Sequence, residues 1–169
     1  AGNGYSTINA FRGIFYQDST LTKVEWEEGR TSIPAYMFAG CNGLKEIVIP
    51  ETVTKIGGYA YHSCVNAEKV TIPEYVTSIG DYAFCQCDGL TSVTISNAVT
   101  DIGEFAFSAC DNIKSVRLGK STATIGRQAF EYCTSLESVY IPKSLTSTGY
   151  YYAGNGYSTI NAFRGIFYQ

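Results

Sequence analysis

Six cysteines and one histidine are the residues here that chemistry would ask about first. Five of the cysteines stand at 41, 64, 87, 110 and 133, each 23 residues after the last. A zinc site needs four ligands drawn together, commonly as Cys-x2-Cys pairs. One thiol per 23 residues gives a single-file row instead, and parallel side chains in register suit the disulfide dihedral poorly. The row therefore reads as small buried side chains. Cys85 breaks the row and is expected on the outer side of its turn. Cys85-x-Cys87 is too close and too isolated to serve as a redox or metal motif. His62, the one histidine, has no serine or cysteine nucleophile spaced to use it. Gly119-Lys120-Ser121 lacks the upstream glycine of a phosphate loop, with Lys114 in its place. Asp and Glu are scattered, with no acid and base paired on one face. No catalytic residue, metal ligand or cofactor is expected.

The elements that hold these residues repeat with the same step. Isoleucine or leucine falls at 49, 72, 95, 118 and 141, with Trp26 one step earlier. Ile56-Gly57, Ile79-Gly80, Ile102-Gly103 and Ile125-Gly126 keep the beat, as do Ala60-Tyr61, Ala83-Phe84, Ala106-Phe107 and Ala129-Phe130. Pro50, Pro73 and Pro142 follow their isoleucines, where a missing donor suits a corner. The cleanest unit is Val76 to Ile95. It predicts a short strand, a corner, a second extended piece, a glycine corner where positive φ is useful, and a brief helical turn over Asp81–Phe84. One coil alone buries too little apolar surface to offset its ordering, so the coils must stack.

These columns resemble the BspA-type leucine-rich repeat, whose unit runs LxxIxIPxxVTxIGxxAFxxCxx. Leu44–Cys64, Ala67–Cys87, Leu90–Cys110 and Ile113–Cys133 carry the match. Leu21–Cys41 is a looser copy in which Arg30, Pro34 and Met37 replace Val, Gly and Ala. The resemblance implies an α/β repeat: a right-handed solenoid with a parallel β-sheet on one face and short helical turns on the other. It also implies a non-catalytic surface or secreted protein of the adhesin type that binds other proteins. The alternative is a structural protein that assembles head to tail into an extracellular filament or a long tandem array.

The chain reads as one solenoid over 1–169, with about six coils from 14 to 149. Residues 1–17 recur identically as 153–169, an offset of 152, which is six repeats of 23 and a remainder of 14. That remainder reads as a Tyr-rich insertion over 150–165. Asn155-Gly156 in it signals a tight hairpin turn, and its Tyr, Gly, Ser and Asn match the composition of adaptable binding loops. A net charge of −3 gives no electrostatic reason to expect nucleic acid. No apolar run is long enough for a membrane span. No leader-like start is seen, so the sequence reads as a mature product or an excerpt.

Outward columns of the first strand point to a binding face. Lys45 and Glu68, and Glu46 and Lys69, oppose one another on neighbouring rungs and are expected to pair. Thr94, Arg117 and Tyr140 share a column beside the neutral strip Ser92, Ser115, Ser138, and Arg and Tyr are favoured contact anchors. The candidate ligand-binding residues are therefore Thr94, Arg117 and Tyr140, together with Tyr150, Tyr151, Tyr152 and Tyr157 of the insertion.

Overall fold

The structure is a computed structural model, and it describes residues 13–148. Three parallel ladders run along the stack. The longest joins six strands in the order β1 (Ser32–Ile33), β3 (Lys55–Ile56), β5 (Ser78–Ile79), β7 (Asp101–Ile102), β9 (Thr124–Ile125) and β11 (Ser147–Thr148). The first extended piece of each coil forms the other two, β2 (Glu46–Ile47) with β4 (Lys69–Val70), and β6 (Ser92–Thr94) with β8 (Ser115–Arg117) and β10 (Ser138–Tyr140). Every pairing is parallel at a register of 23, as in Ile56↔Ile79 and Val93↔Val116. The continuous sheet is thus built from the second extended piece, while the first is divided into two shorter sheets.

The expected helical turns are absent: the described residues contain no helix. The reason lies in the route of each backbone N–H. Along the turn from Tyr59 to Cys64, the N–H groups of Tyr59, Tyr61 and Ser63 donate to the carbonyls of Asp81, Ala83 and Cys85 in the next coil, each at 2.8 Å. Those of Ala60, His62 and Cys64 donate locally, three residues back, at 3.2–3.3 Å. A helix would send all six along its own axis. Alternating between the coil and its neighbour requires the chain to reset its direction, and it does so with left-handed residues. Tyr36, Tyr59, Tyr82, Phe105 and Gln128 hold φ of 53–60° at one position of the repeat. Gln17, Ser63, Gln86, Ala109 and Tyr132 hold 53–59° or 60° at a second, with Gly40 at 77° between them. Left-handed backbone costs an L residue about 1–2 kcal/mol. The inter-coil hydrogen bonds hold it there.

Glycine in the Ile-Gly column has a different task from the one expected. Its φ is not positive; it lets two coils touch. A Cβ on Gly80 would stand 2.6 Å from the Gly58 nitrogen, and one on Gly103 2.5 Å from the Asp81 nitrogen. The same glycines donate across the coils, Gly80 to Ile56 at 2.9 Å and Gly103 to Ile79 at 2.8 Å.

Inside the coils, Leu90, Val93, Ile95, Val99, Ile102, Ala106, Phe107 and Cys110 and their equivalents form one core. Phe15, Phe38, Tyr61, Phe84, Phe107 and Phe130 stack through it as a single row, with ring centroids 5.1–5.5 Å apart. Tyr61 is the odd member. Its hydroxyl is buried without a partner, at a cost of about 1–3 kcal/mol relative to phenylalanine. A second, half-buried row runs Tyr36, Tyr59, Tyr82, Phe105 at 4.6–4.7 Å, on the left-handed positions. Arg127 closes that row, 5.2 Å from the Phe105 centroid and 3.2 Å from Glu104.

Candidate binding face and the thiol row

The thiols come first, because their chemistry is the one the sequence raised. All six cysteines are free and buried. Cys41, Cys64, Cys87, Cys110 and Cys133 each donate the thiol hydrogen to a carbonyl of the preceding coil, those of Phe15, Phe38, Tyr61, Phe84 and Phe107, at 2.9–3.2 Å. The carbonyl of Tyr61, for example, takes the Cys64 N–H from its own coil and the Cys87 thiol from the next. A cysteine suits this position because it is small, largely apolar and still a donor. Burial pushes the Cys41 thiol up to about 12 and Cys133 to about 11, and drives Cys87 and Cys110 well above the ordinary range. A reactive thiol needs the opposite shift.

Cys85 does not sit on an outer side as expected. It is buried, and burial raises its thiol to about 11. It lies in a column with His62, Ser108 and Glu131. His62 is half-buried; its Nδ1 lies 2.8 Å from the Ser63 hydroxyl, which donates to Gln86 Oε1 at 2.7 Å. Burial holds the imidazole below its ordinary pKa. Glu131 is held by the Gln128 amide at 2.6 Å. The side chains in this column are held by neighbouring side chains, His62 by the Ser63 hydroxyl, Cys85 by Ser108 and Glu131 by the Gln128 amide. Among the described residues no group of three His, Cys, Asp or Glu stands close enough to hold a metal ion.

Coil one shows the same logic from the other side. Asp18 takes the cysteine position, where no described residue of an earlier coil offers a carbonyl. Its carboxylate instead accepts from the Thr20 hydroxyl and from the backbone of Thr20 and Leu21, and the Thr20 bonds lower its pKa. Trp26 takes the isoleucine position and donates its indole N–H to the Val48 carbonyl at 2.9 Å.

On the outer face, the structure brings three of the candidate residues together. Thr94 pairs with Arg117, and Arg117 with Tyr140, on adjacent rungs of β6, β8 and β10. The Arg117 guanidinium lies 4.4 Å from the centroid of the Tyr140 ring. All three are exposed, and Ser92, Ser115 and Ser138 run alongside. Tyr150, Tyr151, Tyr152 and Tyr157, with the 150–165 insertion, lie outside the described residues. The expected charge pairing is sparse: Lys69–Glu46 forms at 3.3 Å between exposed groups, whereas Lys23 bonds Glu25 of its own coil at 2.6 Å. Such exposed pairs are each worth about 0.2–1 kcal/mol.

The turn stacks and the donor role of the thiol row went unread in the sequence. Their signals were present as a Tyr/Phe column at 36, 59, 82 and 105 and as the cysteine spacing itself.

The profile of the BspA type leucine-rich repeat region matches residues 7–74 and 54–162, in six copies. The chain belongs to that family. Among solved structures, it is similar to a leucine-rich repeat protein of T. pallidum, with a TM-score of 0.67 and 28% identity over 79% of this chain. It is also similar in fold to a leucine-rich cell surface protein of Faecalibacterium prausnitzii A2-165, with a TM-score of 0.65 and 22% identity over 85% of this chain. The chain spans 63% of the first of these proteins and 34% of the second. No curated protein matches it in sequence. In this repeat scaffold the row cysteines are packed inside, each donating to a carbonyl of the coil before. Among the described residues no helix is long and apolar enough to cross a membrane.

Proposed function

We propose that this chain is a cell-surface or secreted binding module that captures a protein ligand on the sheet carrying β6, β8 and β10. The observation that carries the reading is the stacked pair of exposed Arg117 and Tyr140, with Thr94 one rung away and neutral serines beside them. A planar cation over a tyrosine ring presents a broad, partly apolar surface with unused N–H donors at its rim. Strand pairing and the ring contact hold the two side chains in place, which lowers the ordering cost when a partner's carboxylate or backbone carbonyl docks there. The surface location draws support from the F. prausnitzii protein, which is described as a cell surface protein. The proposed contact residues also include Tyr150, Tyr151, Tyr152 and Tyr157 of the insertion.

Panning a displayed random-peptide library on the immobilised chain, followed by calorimetry on the selected peptides, tests this. Arg117→Ala with Tyr140→Ala is expected to weaken binding about 30-fold or more, since buried Arg and Tyr anchors are each worth about 2 kcal/mol. Selected peptides that bind the double variant as tightly as the parent would remove the site from this face.

A further inference from the structure

The two ends of the stack differ from its middle in a way that names a partner. Val139 in the last coil is half-buried and Ile141 is 45% exposed, whereas their equivalents Val116 and Leu118 are 2% and 1% exposed. At the other end Leu21, Val24 and Trp26 are half-buried, where Leu44, Ile47 and Ile49 are 1%, 2% and 6% exposed. Leu136, Val139 and Ile141 stand five repeats after Leu21, Val24 and Trp26, so the two sets have the same spacing and face opposite ways along the axis. β10 is also the terminal strand of its sheet.

The corner column beside these residues runs Glu28, Glu51, Glu74, Asn97, Lys120, Lys143, all exposed. It is acidic toward the first coil and basic toward the last. At a rung spacing of about 4.8 Å, a coil 21–28 laid on a coil 136–143 places Glu28 against Lys143, with Glu51 and Lys120 one rung farther out. Laying first coil on first coil, or last on last, opposes like charges instead.

We propose that a second copy of this chain docks head to tail, its first coil covering the last coil of the first copy. Leu21, Val24 and Trp26 meet Leu136, Val139 and Ile141, and the Glu28/Glu51 corner meets Lys143/Lys120. The contact is heterologous and propagates along the axis as an open chain of copies. It uses the ends of the solenoid and borders the Arg117/Tyr140 face along β10.

Sedimentation velocity of the full chain over a range of concentrations tests it, at about 0.01 M salt, where charge reaches ~30 Å. The average mass is expected to rise with concentration. Lys120→Glu with Lys143→Glu, and separately Glu28→Lys with Glu51→Lys, should each raise the concentration for half-assembly about tenfold or more, since opposed like charges are costly. Mixing the two variants in equal amounts should restore assembly, because each tail then meets a head of opposite sign. A parent chain that stays monomeric to about 1 mM, variants that assemble as the parent does, or a mixture that fails to recover would each overturn the junction. Selected peptides that still bind the monomeric charge-reversed variants would show the sheet-face site to be independent of it.

Discussion

Phe107→Ala is expected to lower the stability of the folded chain by about 3–5 kcal/mol, the range for emptying a fully buried aromatic site. Phe107 has no exposed surface and lies between Phe84 at 5.1 Å and Phe130 at 5.3 Å, with rings within 9° and 3° of parallel. Its loss opens a void facing two coils at once. The turn around it cannot collapse to fill that void, because its backbone is held from the next coil through Phe107 N–H to Ala129 O at 2.8 Å. Each lost ring stack adds about 0.5–1.5 kcal/mol beyond burial. Chemical denaturation followed by far-ultraviolet circular dichroism measures the change. Phe105→Ala, in the half-buried outer row, is the comparison and should cost less. A loss at Phe107 below about 1 kcal/mol would mean that the inner row is not packed as described.

Gly103→Ala decides a sign. Where glycine only supplies flexibility, alanine stabilises by about 0.4–1 kcal/mol through the unfolded chain. Here the added methyl would stand 2.5 Å from the Asp81 nitrogen and the same distance from Asp81 Oδ1. The first of these is backbone and can yield only if the coils part. Parting them stretches the Gly103 to Ile79 bond of 2.8 Å and the Glu104 N–H to Asp81 carboxylate bond of 2.8 Å. We expect a loss of about 2–4 kcal/mol, toward the upper end of overpacking costs. Thermal unfolding of the parent and the variant side by side reads it, and a gain in stability would show that the coils are not in contact at this column.

Much of this architecture was legible because a solenoid writes the same local problem many times. Period, inward columns, corner prolines and the register of Thr94, Arg117 and Tyr140 all follow from counting in steps of 23, and the parallel pairings keep that count. The turn did not follow. Asp81-Tyr82-Ala83-Phe84 has the local pattern of a helical turn, but Tyr82 is left-handed at φ 57° because the Tyr82 N–H reaches Glu104 O and the Phe84 N–H reaches Ala106 O. Those partners sit one coil away and no local propensity encodes them. Cys85 was misplaced for the same reason: the assumed helix would have turned it outward, and the actual turn buries it. The Ile-Gly column was read as a conformational device, whereas its cause is contact between neighbouring backbones. The cysteine spacing was visible from the start, but the donor role of the thiols becomes visible only once the carbonyls of the preceding coil are in place.

The claim that organises the whole molecule is that its chemistry-bearing residues serve as internal fittings, leaving function to the outer surface and the ends. Intact-mass analysis after brief treatment of the native chain with iodoacetamide at neutral pH tests this directly. With every thiol buried, those of Cys41, Cys85, Cys87, Cys110 and Cys133 raised, and the row donating to carbonyls of the coil before, the native chain should remain unmodified. The same chain in denaturant under reducing conditions should take up one label for each of its six cysteines. A thiol that labels fully in the native state, or a native disulfide that leaves two unlabelled after unfolding without reductant, would contradict the account.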